Sequence, residues 1–283
     1  MAVLIDGKAI SAQIKEELKA EVAVMKARGN TPCLAVVLVG SDPASEIYVR
    51  NKKKACEYIG IESRVYELPE DTKEEELGKL IRDLNEDENV DGILVQTPLP
   101  KTLDEEKITG MIHPDKDVDG FLCENIGALC LGTKGFVSCT PAGVIELIKR
   151  SGFSIEGKEC VVVGRSNNVG KPMAMLLLRE NGTVTVAHSK TKKLEEITKR
   201  ADILVVAAGK EKLITADYVK EGAVVIDIGM HRTQNGKLYG DVDFETVKEK
   251  AGAITPVPGG VGPMTVAMLM HNCVEAARYK RRE

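Results

Sequence analysis

Val161-Val162-Val163-Gly164-Arg165-Ser166-Asn167-Asn168-Val169-Gly170-Lys171-Pro172 decides the fold class of this chain. The apolar run over 160–163 reads as a strand buried on both faces. Gly164 permits a tight exit from it, Gly170 permits close packing, and Pro172 suits the first turn of a helix whose unbonded N–H groups face outward. The spacing is GxxxxxG rather than the GxGxxG fingerprint. Alone, the stretch therefore fits either a phosphate-binding loop or an ordinary strand–helix turn.

The same alternation extends to both sides. Downstream, the pattern predicts a helix over 171–180, strands at 183–187, 203–207 and 223–228, and a glycine-rich loop at 257–263 leading into a final helix. Upstream it predicts an amphipathic helix over 11–28 ended by Gly29, a fully apolar strand at 33–39 and a helix over 44–59. A strand near 63–68 precedes a helix opened by the capping-box pattern Thr72-Lys73-Glu74-Glu75. A strand at 91–95 then ends in the proline-rich turn Gln96–Pro100. Thr140-Pro141 predicts the N-cap and first turn of a helix over 141–150. Strands alternating with helices imply the α/β class. We expect two α/β domains, the second a Rossmann-type doubly wound parallel sheet, with a catalytic cleft between them. The expected division is 1–120 for the first and 121–263 for the second, with the helix over 264–283 packing back on the first.

The 283 residues suit one large or two medium domains. With 39 basic and 43 acidic side chains, a net charge of −4 and 43% hydrophobic residues, disorder is excluded. No basic excess points to nucleic acid or a membrane surface. No apolar run nears the ~20 residues of a membrane span. The N-terminus has no signal-peptide pattern, so a cytoplasmic protein is expected. Seven scattered cysteines without CxxC read as reduced thiols, and four histidines without HExxH argue against a metal site. The basic tail Arg278-Tyr279-Lys280-Arg281-Arg282 reads as the solvated last turn of a helix.

Cofactor type is argued from the end of the 183–187 strand. An NAD site places Asp or Glu there for the ribose hydroxyl. His188-Ser189-Lys190-Thr191 has no acid, whereas Arg165, Ser166, Ser189 and Lys190 could meet a 2′-phosphate, which favours NADP.

The helix over 44–59 carries Lys52, Lys53 and Lys54. At about 100° per residue, Ala44, Tyr48, Ala55, Tyr58 and Ile59 form an apolar face. Lys53 and Lys54 join the charged residues opposite, but Lys52 falls at the edge of the apolar face, one turn after Tyr48 and beside Ser45. Such a lysine either snorkels, with a buried stem and a wet ammonium, or is desolvated so that its amine acts as a base. A matching pocket favours the second reading. Gln96 ends a buried strand, Lys116-Asp117-Val118-Asp119-Gly120 lies at the hand-over between the two halves, and Pro256–Pro263 supplies glycines that allow close backbone approach.

Taken together, Ala44-Ser45…Tyr48-Val49-Arg50-Asn51-Lys52, Val95-Gln96-Thr97-Pro98-Leu99-Pro100, Asp117-Val118-Asp119-Gly120, Val163-Gly164-Arg165-Ser166, His188-Ser189-Lys190-Thr191 and Thr255–Thr265 resemble the bifunctional methylenetetrahydrofolate dehydrogenase/methenyltetrahydrofolate cyclohydrolase family. Thr97 and Met230 depart from it, standing where the family often has an apolar residue and Ile. The resemblance implies oxidation of 5,10-methylenetetrahydrofolate with NADP, followed by hydrolysis to 10-formyltetrahydrofolate, in one-carbon metabolism and purine biosynthesis. It implies a homodimer with tetrahydrofolate derivatives as substrates. It also implies a catalytic group of Lys52, Tyr48, Gln96 and Asp119, with Lys52 serving the cyclohydrolase step, Gln96 bonded to it, Tyr48 stacking on the folate and Asp119 gripping the pterin. Gly164, Arg165, Ser166, Ser189 and Met230 would contact NADP. Tyr48, Val49, Arg50, Asn51, Lys52, Val95, Gln96, Thr97, Asp119 and Pro258, Gly259, Gly260, Val261 and Gly262 would line the folate site. A shikimate-dehydrogenase-like enzyme also pairs a lysine with an NADP domain, but leaves Asp119 and the 257–263 loop unexplained. A non-catalytic NADP sensor would not need Lys52, Gln96 and Asp119.

Overall fold

The computed structural model describes residues 2–233 and 236–279. In chain order the first elements are β1 (Val3–Leu4), α1 (Gly7–Ala27), β2 (Cys33–Val39), α2 (Pro43–Ile59), β3 (Glu62–Leu68), α3 (Glu74–Glu86), β4 (Gly92–Val95), α4 (Glu105–Thr109) and α5 (Cys123–Leu131). Then follow α6 (Cys139–Arg150), β5 (Glu159–Val163), α7 (Gly170–Arg179), β6 (Thr183–Ala187), α8 (Leu194–Thr198), β7 (Ile203–Val206) and β8 (Val224–Asp227). The last are β9 (His231–Arg232), β10 (Leu238–Tyr239), α9 (Phe244–Val247), β11 (Ala253–Ile254) and α10 (Val261–Tyr279).

The chain forms two compact units. One joins Met1–Ala12 with Ser138–Thr265, and the other joins Gln13–Val137 with Val266–Glu283. The sequence division at 120 grouped residues 1–12 with the first half. The pairing of Val3 and Leu4 with Ala253 and Ile254 groups them with the second sheet instead. Two-residue strands such as β1 and β11 are too short to show any period.

In the unit that holds residues 13–137, a parallel sheet of order β3-β2-β4 is centred on β2. All seven residues of β2 are buried, as a strand covered on both faces requires. Cys33, Ala35, Val37 and Val39 share one face, packing with Leu77, Ile81 and Leu84 of α3 and Ile108 of α4. In the same unit, Asn272 of α10 donates to the carbonyls of Val118 at 2.8 Å and Val137 at 3.0 Å.

The other unit is built on a six-stranded parallel sheet of order β1-β11-β8-β7-β5-β6. The chain runs from β5 out to β6 and returns to β7 on the far side of β5, so strand order reverses at the carboxyl end of β5. Open α/β sheets bind ligands at such a reversal. Val161, Val163, Leu204, Val206 and Val225 form one buried face with Ile214, Val219 and Val247. The helix α7 covers β5 and β6.

Several helix starts depart from the sequence expectation. Asp6, whose carboxylate accepts from Ala9 N–H at 3.1 Å, starts α1 at Gly7 rather than residue 11. Thr72 does not cap α3: its hydroxyl donates to Pro69 O at 2.6 Å, and Lys73 occupies the cap position without a side-chain bond. Thr140 does not cap α6 either. That helix starts at Cys139, and the Thr140 hydroxyl bonds Thr265 at 2.9 Å. In both cases the hydroxyl meets a better-placed tertiary or turn partner than the helix N–H. Of the basic tail, Lys280, Arg281 and Arg282 lie outside the described residues; Arg278 forms ion pairs with Glu21 and Glu275 instead of standing alone in water. Five cysteines are buried, and Cys123 and Cys130 are exposed. Among the described residues, no helix is long and apolar enough to cross a membrane, and no cluster of three or more potential metal ligands occurs.

Candidate active site

Asp42 positions the helix that carries Lys52. Its carboxylate accepts from Ser45 N–H at 2.8 Å, Pro43 occupies the first turn, and Gly60 closes the other end with φ of 96°. The buried residues of α2 are Ser45, Val49, Ala55, Cys56 and Ile59. At about 100° per residue, Ser45, Val49, Cys56 and Ile59 form a stripe centred about 60° from Tyr48. Helical periodicity alone centres the apolar face on Tyr48 and puts Lys52 at its edge. The structure reverses this: Lys52 lies within the stripe, half-buried between exposed Asn51 and Lys53, while Tyr48 and Tyr58 are 42% and 46% exposed. Arg50 and Asn51 are likewise exposed.

At the end of β4, the buried Gln96 carboxamide faces this stripe. Lys52 Nζ donates to Gln96 Oε1 at 2.9 Å, and Gln96 Nε2 donates to Thr97 O at 2.7 Å. The two bonds fix the amide's orientation, oxygen toward the lysine. Val95 is buried, Thr97 is exposed, and the Thr97–Pro98 peptide is cis.

The turn at 117–120 separates two acids that look alike in sequence. Asp117 is buried, and its carboxylate accepts from Gly120 N–H at 3.1 Å, Leu122 N–H at 2.9 Å and Asn125 Nδ2 at 2.8 Å. It builds the turn. Asp119 is half-buried, and burial raises its pKa to about 6, with the Lys52 charge opposing that rise and Asp117 adding to it. The structural part of Asp117 was not visible in the sequence, because only the fold shows which carboxylate turns inward.

In the other unit, Gly164 follows β5 with φ of +141°, and a Cβ there would stand 2.2 Å from Ala207 O. At Gly170 a Cβ would stand 2.5 Å from Gly164 O. Both positions therefore require glycine, and the loop between them is drawn tightly onto the strand ends. Ser166 closes it, accepting from Gly170 N–H at 3.2 Å on its hydroxyl and from Lys171 N–H at 3.0 Å on its carbonyl. Arg165 and Ser166 are exposed, as is Ser189 in the turn after β6. This cradle, with an arginine and two hydroxyls at the ends of adjacent strands, fits the phosphates of a dinucleotide. Met230, after β8, is 54% exposed. It follows Asp227, whose carboxyl accepts from Gly229 N–H at 2.9 Å and from Asp241 and Val242 N–H at 3.0 Å each. Burial pushes Asp227 up to about 7 against the pull of those N–H groups.

The 256–263 loop lies in this same unit. Pro258 and Gly262 are exposed, Gly259 is half-buried and has φ of +105°, and Gly260 and Val261 are buried. Its glycines are not alike. A Cβ at Gly260 would stand 2.6 Å from Pro256 O, so the chain's own backbone fills that space. A Cβ at Gly262 would meet nothing within 4 Å. At Gly259 it would meet only the Lys8 side chain, so of the three glycines Gly260 alone is closed in by backbone.

Comparison with known proteins agrees with both halves of this arrangement. Residues 5–119 match the tetrahydrofolate dehydrogenase/cyclohydrolase catalytic domain, and residues 138–281 match its NAD(P)-binding domain. The chain is 65% identical over 278 residues to the bifunctional protein FolD of Lachnoclostridium phytofermentans, covering 98% of this chain and 99% of that one. Among solved structures, it superimposes with a TM-score of 0.96 on the bifunctional methylenetetrahydrofolate dehydrogenase/cyclohydrolase FolD of Campylobacter jejuni, 51% identical over 99% of both chains. The FolD of Trypanosoma brucei, solved with NADP cofactor and inhibitor, gives a TM-score of 0.93 at 39% identity, covering 100% of this chain and 99% of that one. The chain belongs to the tetrahydrofolate dehydrogenase/cyclohydrolase family.

Proposed function

We propose that this protein oxidises 5,10-methylenetetrahydrofolate to the 5,10-methenyl cation with NADP and hydrolyses that cation to 10-formyltetrahydrofolate. The observation that carries this reading is the Lys52–Gln96 hydrogen bond of 2.9 Å, made by a lysine within a buried stripe. NADP, when bound, supplies the hydride acceptor.

Lys52 serves the second reaction. A methenyl cation next to its amine disfavours the ammonium and leaves a base for the attacking water. Its protonated form then returns the proton to the ring nitrogen that leaves. Gln96 holds Nζ in place through that exchange. Asp119, with a pKa of about 6, is mostly ionised at neutral pH and accepts from the amino and ring N–H groups of a pterin. The exposed ring of Tyr48 offers a stacking face one turn from Lys52. In the other unit, Arg165, Ser166 and Ser189 hold the nucleotide, Arg165 through paired bonds to its 2′-phosphate. The backbone at Gly164 and Met230 contacts the nucleotide, and Pro258–Gly262 contacts the folate. The reading extends to a homodimer in the cytoplasm, on the strength of the family resemblance.

The test is NADPH absorbance after mixing the protein with methylenetetrahydrofolate and either NADP or NAD. NADPH forms, and faster than NADH. A folded protein that reduces neither nucleotide overturns the reading.

A further inference from the structure

Backbone hydrogen bonding in the six-stranded sheet ends at a definite place. Ala207 N–H still donates to Val163 O at 2.8 Å, and Ile228 N–H to Val206 O at 2.8 Å. The next two N–H groups after β7, those of Ala208 and Gly209, lie past the ladder and need other acceptors. A side chain from a distant segment supplies them. Asp241 Oδ2 accepts from Ala208 N–H at 2.6 Å and from Gly209 N–H at 2.9 Å. Its other oxygen lies 2.7 Å from His231 Nε2. A carboxylate can only accept, so His231 donates from Nε2.

The Asp241 side chain is fully buried, and the chain makes room for it. A Cβ at Gly229 would stand 2.4 Å from Asp241 Cγ, and one at Gly240 would stand 1.9 Å from Asp227 Oδ2. Asp227 in turn holds the Asp241 and Val242 N–H groups, which sets Asp241 in register with β8. The loop that Asp241 fixes begins at Ala207, the residue against which Gly164 packs. One carboxylate therefore ties together the strand end after β7 and, through His231, the hairpin that follows Met230.

Strand order says what lies above this clamp. In a doubly wound sheet the pyrophosphate sits at the helix following the strand at the reversal, here β5, and the adenosine side lies over the neighbouring β6. The remaining half of a dinucleotide then extends over β7 and β8, the strand ends that Asp241 fixes. We infer that Asp241 is a positioning residue for the nicotinamide half of the cofactor, acting through the backbone of Ala208–Gly209 and the His231 hairpin. This rests on the NADP-dependent reading given above.

The experiment compares the wild type with Asp241→Ala, Asp241→Asn and His231→Leu in the full chain, titrating each with NADPH and following its fluorescence. Hydrolysis of preformed methenyltetrahydrofolate without nucleotide serves as the control for folding. Asp241→Ala weakens NADPH binding by about tenfold or more, the loss expected for two charge-assisted bonds. Its cyclohydrolase rate stays within about threefold of wild type, because that reaction uses no nucleotide. Asp241→Asn restores binding to within about threefold, since the amide oxygen still accepts both N–H groups and His231 can take its other tautomer. His231→Leu, at a less buried site, weakens binding without loss of the fold, and it carries the test if Asp241→Ala does not fold. Wild-type NADPH affinity in Asp241→Ala, or in His231→Leu should the former not fold, overturns the inference. So does equal loss of nucleotide binding and cyclohydrolase in Asp241→Asn. A wild-type protein that binds no NADPH would instead count against the proposed function itself.

Discussion

Lys52 Nζ lies 2.9 Å from Gln96 Oε1, so a buried helical stripe and the end of a buried strand meet at one amine. A neutral amide acceptor suits the change of charge that the proposed cyclohydrolase step asks of Lys52. It orients the nitrogen in both protonation states without locking either, as a carboxylate would.

Lys52→Gln keeps much of the length and polarity of the side chain but removes the amine proposed to act as the base. The proposed division of labour then predicts a fall of about 100-fold or more in cyclohydrolase rate. Hydride transfer, which needs alignment rather than this base, keeps most of its rate. Parallel assays of methenyltetrahydrofolate hydrolysis and NADPH formation check this. Equal loss of both, in a variant that still binds both ligands, would show that Lys52 is not specific to the second step.

Gln96→Glu places a carboxylate where the amide now accepts. The opposite charge stabilises the Lys52 ammonium, so more alkaline conditions are needed to free the amine. The acidic limb of the cyclohydrolase pH–rate profile should move up by about one pH unit or more. A profile that falls in height without moving along the pH axis would assign Gln96 a packing part only.

How much of this was legible in the sequence depends on the range of the forces involved. The strands at 33–39 and 160–163 declared themselves, because full burial on two faces leaves an unbroken apolar run. Lys52 stood out from Lys53 and Lys54 by helical periodicity, although the centre of the buried face was misplaced. Tyr48 and Tyr58 are apolar enough to suggest a core, and only the neighbouring strands show that Val49 and Cys56 take that place. Caps at Thr72 and Thr140 failed because a hydroxyl chooses among nearby acceptors, and that choice is tertiary. The Asp241 clamp was out of reach for the same reason. It joins residues 32 and 33 positions apart through a side chain that carries no local signature.

Arg165 is exposed at the loop after β5, near the strand end where Ser189 is also exposed. If it pairs with a 2′-phosphate, Arg165→Ala removes charge-assisted bonds that NAD never makes. KM for NADP should rise by about 10–100-fold while KM for NAD changes little. Initial rates with each nucleotide at saturating folate measure the ratio. A uniform rise for both would place Arg165 on the shared pyrophosphate instead.

Asp119 gives the fold a pH signature that needs no ligand. Burial raises its pKa from 3.8 to about 6. As pH climbs from about 4 to 6, the unfolded chain releases this proton while the native state retains it. The native state then binds more protons than the unfolded one, so this group's contribution to stability is fully present below about pH 4 and is lost as pH rises through about 6. Asp119→Asn does not titrate and escapes that loss. Urea midpoints measured from pH 4 to 8 should therefore show the variant gaining on wild type up to about pH 7, with the difference between the two constant beyond it. Lys52 pulls the Asp119 pKa back down, so in a Lys52→Gln background the same divergence should extend to higher pH. Parallel curves for wild type and Asp119→Asn across the whole range would mean that water reaches the Asp119 carboxylate freely, and that it is not the desolvated anchor a buried pterin contact requires.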